Sequence, residues 1–179
     1  MVYLFLADGF EEIEALATVD ILRRADIDIK TVSISDDYEV RGAHDITVSA
    51  DILFKDIDSN PDMIILPGGL PGTTNLRNFS PLCDMIVRMN EEGKLLAAIC
   101  AAPSVFGELG ILEGKKATCY PGFEETLKGA EILKDAVVHD DNVITSRGAG
   151  TAHLFAFRIV EILKDKNTAE KLKAGMMYE

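Results

Sequence analysis

The sequence predicts an α/β protein with a mostly parallel central sheet and helices on both of its faces. Three observations carry that expectation. Short apolar runs without charge alternate with longer amphipathic stretches along most of the chain. The runs are as uniformly apolar as strands buried on both faces must be, which is the mark of a parallel sheet. Turn residues fall between the two kinds of segment: Asp8-Gly9 follows the first run and Pro67-Gly68-Gly69 a later one.

Val2–Ala7 contains no charge and reads as the first strand. Glu11–Ala25 is helical in composition, and Asp8 with Glu11 three residues later imitates a capping box. Asp28–Ile34 is rich in β-branched residues and gives the second strand. Between residues 37 and 56, alternation such as Ile46-Thr47-Val48 predicts a hairpin. Asp62–Leu66 is a buried strand stopped by Pro67-Gly68-Gly69, and Pro81–Glu92 is a helix with Leu82, Met85, Ile86 and Met89 at helical spacing. Leu95–Ile99 is a strand, and Cys100 opens a helix that runs through Leu109. Ala117–Tyr120, Ala136–His139 and Asn142–Ser146 read as short strands, with a turn at Asp141-Asn142. A long helix from Gly150 to Leu163 and a charged one over Thr168–Ala174 complete the order. No linker, repeat or low-complexity tract interrupts it, so one domain over 1–179 is expected.

The 179 residues are 47% hydrophobic and 27% charged, with a mean hydropathy of +0.12. That is enough chain to build a core without a disulfide or metal staple. Thirty acidic against 18 basic residues give a net charge of −12. Such a surface repels phosphate backbones and anionic lipid, so neither nucleic acid nor a membrane is expected as a partner. The apolar amino terminus lacks a basic region and turns acidic at Asp8, which argues against a signal peptide. The three cysteines (Cys83, Cys100, Cys119) form no CxxC and suit a reducing, cytoplasmic location.

In a parallel sheet the ligand crevice lies at the carboxyl ends of the strands. That directs attention to Asp8-Gly9, Gly68-Gly69, Cys100 and Tyr120-Pro121. Ala98 and Ala102 stand two residues before and after Cys100, as the small residues of a nucleophile elbow do around its serine. The positive end of the following helix would favour thiolate and lower the Cys100 pKa. Gly68-Gly69 would bring a backbone N–H beside that thiolate and, with the Ala101 N–H, form a two-donor oxyanion site. The P-G-G-x-P-G turn lacks the features of a phosphate loop or a dinucleotide fingerprint, and the histidines and cysteines show no ligand spacing. No cofactor and no metal are therefore expected. No periodicity brings His44, His139 or His153 to Cys100.

The acidic cluster Glu11-Glu12-Ile13-Glu14 falls on the same rim. Asp20, Arg23 and Arg24 share one polar arc of that helix, whereas Glu14 and Glu11 both point away from it. A carboxyl on an apolar flank is held neutral and can donate a hydrogen bond to a thiolate. Spacing does not choose between the two, and Glu11 with Glu12 also reads as a solvated acidic first turn. Cys83, inside an amphipathic helix, reads as packing. Cys119 does too, although its place beside Tyr120 would let it approach Cys100 as a resolving thiol.

Four motifs, A-D-G-F-E-E-I-E (7–14), L-P-G-G-x-x-G (66–72), A-A-I-C-A-A-P (97–103) and T-S-R-G-A-G-T (145–151), together resemble the ThiJ/PfpI superfamily. The resemblance is closest to the branch of the Parkinsonism-associated protein deglycase and its bacterial relatives, and it covers essentially the whole chain. It implies a flavodoxin-like sandwich and a homodimer. It places the family's reactive cysteine on Cys100, the protonated glutamate on Glu14, the backbone donors on Gly69 and Ala101, and substrate contacts at Gly68 and Tyr120. Two departures stand out. The peptidase-like branch has a histidine where this chain has Ala101, and many deglycase relatives have one where it has Tyr120, a poor base at neutral pH. The implied activity is cofactor-independent chemistry on small reactive dicarbonyls or their glycation adducts. The alternatives are a stress-protective peroxide sensor or chaperone acting through Cys100 oxidation, and an amidase or peptidase, which the missing histidine disfavours.

Overall fold

Uncharged runs become the sheet, as their burial on both faces requires. A computed structural model describes residues 1–57 and 60–178. Among them, the strands are β1 (Val2–Leu6), β2 (Ile29–Ser33), β3 (Glu39–Arg41), β4 (Thr47–Ser49), β5 (Ile52–Leu53), β6 (Met63–Leu66), β7 (Leu95–Ile99), β8 (Lys116–Ala117), β9 (Glu131–Ile132), β10 (Val137–Asp140) and β11 (Val143–Ser146). The helices are α1 (Glu12–Arg24), α2 (Gly72–Asn78), α3 (Ser80–Glu91), α4 (Pro103–Glu108), α5 (Ala152–Leu163) and α6 (Lys166–Gly175). Seven strands form the central sheet in the order β10-β11-β7-β6-β1-β2-β5. All its pairings are parallel except the β10–β11 hairpin at one edge.

Strand periodicity of two divides the core in half. Val2, Leu4 and Leu6 pack with α1, α5 and α6, while Tyr3, Phe5 and Ala7 pack on the opposite face with α3 and α4. The same alternation separates Ile65 from Ile64 and Leu66, and Ala97 and Ile99 from Leu96 and Ala98. This is the flavodoxin-like α/β sandwich. The chain leaves β1 toward β2 and β5 on one side, then crosses to β6, β7 and β11 on the other. The strand order therefore reverses beside β1, and the crevice expected at such a reversal opens at the carboxyl ends of β1, β6 and β7.

Several elements differ from expectation for identifiable reasons. Asp8 does not cap α1, because its carboxylate accepts the Arg41 N–H at 2.9 Å; Glu11 is the cap instead, accepting the Glu14 N–H at 2.7 Å. The helix expected from Cys100 begins at Pro103. Thr118–Tyr120 is not strand: Thr118 N–H bonds the Thr145 side chain and Tyr120 N–H bonds the Cys100 carbonyl. The 37–56 hairpin consists of β3 and β4, and β5 continues from it onto the sheet edge. None of the described residues forms a helix long and apolar enough to cross a membrane.

Candidate active site

Cys100 follows β7 directly and has φ +65°, in the left-handed region that a side chain adopts only when its surroundings impose it. Both of its backbone groups are tied: its N–H donates to the Ser146 carbonyl at 3.0 Å and its carbonyl accepts from Tyr120 N–H at 2.8 Å. The chain therefore turns sharply between strand and helix, with the thiol at the bend. Buried Ala98 and Ala102 on either side allow the close approach. The backbone N–H groups of Ala101 and Gly69 lie near the Cys100 sulfur and favour its charged form. Gly69, at φ +89°, is the residue type that turns its N–H this way without strain.

Of the acidic cluster, Glu14 is the carboxyl that reaches this bend. It is 1% exposed, Oε2 accepts the Gly68 N–H at 2.8 Å, and the carboxyl lies beside the Cys100 side chain, across Gly68. Its Oε1 is buried with no hydrogen-bond partner among the described residues. Gly68 sits between the thiol and the carboxyl: a Cβ there would lie 2.6 Å from Cys100 Cβ and 2.7 Å from Glu14 Oε2. Gly68 thus spends its N–H on Glu14 rather than holding it free for a substrate.

Burial pushes the Glu14 carboxyl up to about 7, against the Gly68 N–H and the Cys100 thiol that favour its charge. The thiol moves the same way. Burial, then the charge of Glu14, push Cys100 up to about 12 against the N–H groups of Ala101 and Gly69. The shift runs against the lowering expected from a helix start, because the thiol is buried and faces the Glu14 carboxylate, and α4 begins only three residues later. Two anions cannot share this space. A thiolate forms here when Glu14 holds the proton, so the two groups titrate as a pair.

The neighbours sort differently from expectation. Glu12 is not solvated: it is 4% exposed and binds His44 through both the N–H and Nδ1, each at 2.7 Å. Burial raises that carboxyl, but the hydrogen bonds from His44 outweigh it and leave the group below its ordinary value, while Glu12 raises His44. No local pattern could have found this contact, which spans 32 residues. Tyr120 is half-exposed with its ring beside Gly148. Cys119 is buried among core residues, and Cys83 donates to the Arg77 carbonyl. Among the described residues, Glu11, Glu12 and His44 are the group spaced to hold a metal ion, but their atoms are already engaged with Glu14 N–H and with one another. The 145–151 motif supplied no role in the sequence, yet Ser146 braces Cys100 and Gly148 lies within reach of Glu14.

Fold and bend define an α/β sandwich with a cysteine thiol on a strand-to-helix elbow beside a buried acid. Comparison with known proteins agrees. The family model described as DJ-1/PfpI matches residues 1–162, and the chain belongs to that family. It is 42% identical over 175 residues to the Arabidopsis thaliana protein DJ-1 homolog B, covering 96% of this chain but 40% of that protein. It therefore spans less than half the length of that plant relative. A Caenorhabditis elegans protein named as a glutathione-independent glyoxalase is 34% identical over 165 residues, covering 90% of this chain and 87% of its own. The solved structure of oxidized Toxoplasma gondii DJ-1 superposes with a TM-score of 0.95 at 35% identity, covering 99% of this chain and 97% of that one.

Proposed function

We propose that the chain is a cofactor-independent enzyme that converts small 2-oxoaldehydes such as methylglyoxal to 2-hydroxy acids, with glycation adducts of the same aldehydes as related substrates. The observation that carries this reading is Glu14. A carboxyl at 1% exposure, raised to about 7, with one oxygen unengaged and the reactive thiol beside it, is matched to proton transfer at neutral pH. The Cys100 sulfur adds to the aldehyde carbon, and the proton on Glu14 passes to the aldehyde oxygen. The carboxylate then takes the proton from that carbon, giving an enediolate, and returns it to the adjacent carbon as the hydroxyl proton of the first carbon passes to the neighbouring oxygen. The result is a thioester of the hydroxy acid. Water cleaves it, releasing the acid and the thiol. One carbon is oxidised and its neighbour reduced, so the balance is methylglyoxal plus water to lactate and a proton. Gly69 and Ala101 N–H groups hold the oxyanion that develops beside the sulfur. The name of the nematode relative points the same way.

The test is lactate formation from methylglyoxal by metal-free, glutathione-free protein, beside Cys100→Ser. Turnover abolished in the variant supports the enzyme. A second reading, a peroxide sensor with stress-protective or chaperone action, is favoured by the same donors: Gly69, Ala101 and a protonated Glu14 would hold the oxygens of a sulfinate. No turnover, with selective oxidation of Cys100 by peroxide, supports that reading instead. In both readings the protein acts in the cytoplasm as a homodimer, and exposed Ile13 and Leu16 on α1 offer an apolar face for the second copy.

A further inference from the structure

Tyr120 and Ser146 brace Cys100, and Tyr120 together with Arg147, the residue after Ser146, begins the two walls of a shallow hollow beside it. Tyr120 and Pro121 form one wall, and Arg147 with the 148–151 turn forms the other, around a cavity of about 370 Å³. The hollow adjoins the reactive pair through Gly148. A Cβ there would lie 3.3 Å from the Tyr120 ring and 3.9 Å from Glu14 Oε1, the buried oxygen without a hydrogen-bond partner among the described residues. A substrate whose reacting carbon meets Cys100 and whose oxygen meets Glu14 therefore extends into this hollow.

Arg147 is the charge in its lining, and it is unlike most other arginines of the chain. Arg23, Arg24, Arg41, Arg77 and Arg158 each hold a carboxylate within 2.9 Å. Half-buried Arg147 has no carboxylate at ion-pair distance among the described residues, and one long hydrogen bond, 3.4 Å, to the Lys134 carbonyl. Glu124 lies within its field but bonds the Gly122 N–H at 2.6 Å. A guanidinium with no carboxylate at ion-pair distance, on the wall of this hollow, is a place for an anion in a chain whose net charge is −12.

We propose that Arg147 makes this hollow the subsite for the far end of the substrate, and that the preferred 2-oxoaldehydes carry a carboxylate or phosphate there. This rests on the enzyme reading above. Two assays test it, one of which needs no turnover. Cys100 is alkylated with iodoacetate and with iodoacetamide, near-isosteric reagents that differ in charge, in the wild type, Arg147→Gln and Arg147→Lys. The iodoacetate-to-iodoacetamide rate ratio is expected to fall about tenfold in Arg147→Gln, the weight of one charge-assisted hydrogen bond, and to be largely kept in Arg147→Lys. Added salt lowers the wild-type ratio toward that of the glutamine variant. In turnover, 4-carboxyphenylglyoxal should exceed phenylglyoxal in kcat/KM, and Arg147→Gln should cut that preference about tenfold, mainly through KM. An unchanged alkylation ratio in Arg147→Gln, or turnover without charge preference in the wild type, overturns the proposal while leaving the enzyme intact. Absence of turnover with charge-selective alkylation retained fells the enzyme and leaves the anion subsite standing.

Discussion

Replacing Glu14 by Gln separates the stability of the site from its chemistry. The carboxyl is 1% exposed and raised from 4.5 to about 7, chiefly by burial. In the unfolded chain it ionises near its ordinary value, so between pH 4.5 and 7 the folded state binds more protons than the unfolded one. Stability must then fall as pH rises through that window. From these two values the loss between pH 5 and pH 8 is about 2.5 kcal/mol. Gln does not titrate, and its oxygen still accepts the Gly68 N–H. Any constant cost of its amide cancels when one variant is followed across pH. The stability of Glu14→Gln relative to wild type should therefore rise by about 2.5 kcal/mol from pH 5 to pH 8, or about 5–10 °C in relative Tm for a chain of this length. Methylglyoxal turnover should drop roughly 10²–10⁴-fold at the same time, the usual loss for an acid–base group. Thermal melts at equal protein concentration, with lactate assays beside them, make the measurement. Stability curves that stay parallel from pH 5 to pH 8 would refute the claim that this carboxyl is held protonated by burial.

Removing the Glu14 charge should also move the pH profile of Cys100 alkylation by iodoacetamide to lower pH, because that charge raises the thiol; a profile that stays in place would contradict the pairing. Gly68→Ala puts a methyl 2.6 Å from Cys100 Cβ and 2.7 Å from Glu14 Oε2, so turnover should be lost together with about 1–3 kcal/mol of stability from overpacking, and a fully active variant would show the pair to be farther apart than described. Exhaustive chelation should leave methylglyoxal turnover unchanged, since the atoms of Glu11, Glu12 and His44 are engaged with protein groups; loss of turnover restored by a divalent ion would overturn that.

The elements legible in the sequence are those whose signal is local. Val2–Leu6, Met63–Leu66 and Leu95–Ile99 announce themselves because a strand buried on both faces tolerates no charge. The rule that ligands bind at strand carboxyl ends then finds Cys100 without further help. What the sequence hides is set by distant partners. α2 opens Gly72-Thr73-Thr74-Asn75, a poor helix by propensity, and is fixed in place partly by the Asn75 side chain on the Asp8 carbonyl at 2.9 Å. The thiol shift went undetected because a helix start is visible in sequence and desolvation is not.

The three carboxyls of one helical turn show the same division at the finest scale. Glu11 accepts the Glu14 N–H and caps α1, Glu12 is buried against His44, and Glu14 is buried against Cys100. Glu12 and Glu14 are both almost without solvent, so burial alone does not make an acid. The difference lies in what each carboxylate meets. Glu12 faces an imidazole and several N–H groups, which stabilise its charge and leave it below the ordinary value. Glu14 receives one N–H and faces a sulfur that must itself become an anion to react, so the proton is cheapest to keep on the carboxyl. Periodicity separates Glu14 from the polar arc of its helix. Only the groups that follow β6 and β7, Gly68 and Cys100, separate it from its neighbours as the carboxyl raised toward neutral pH.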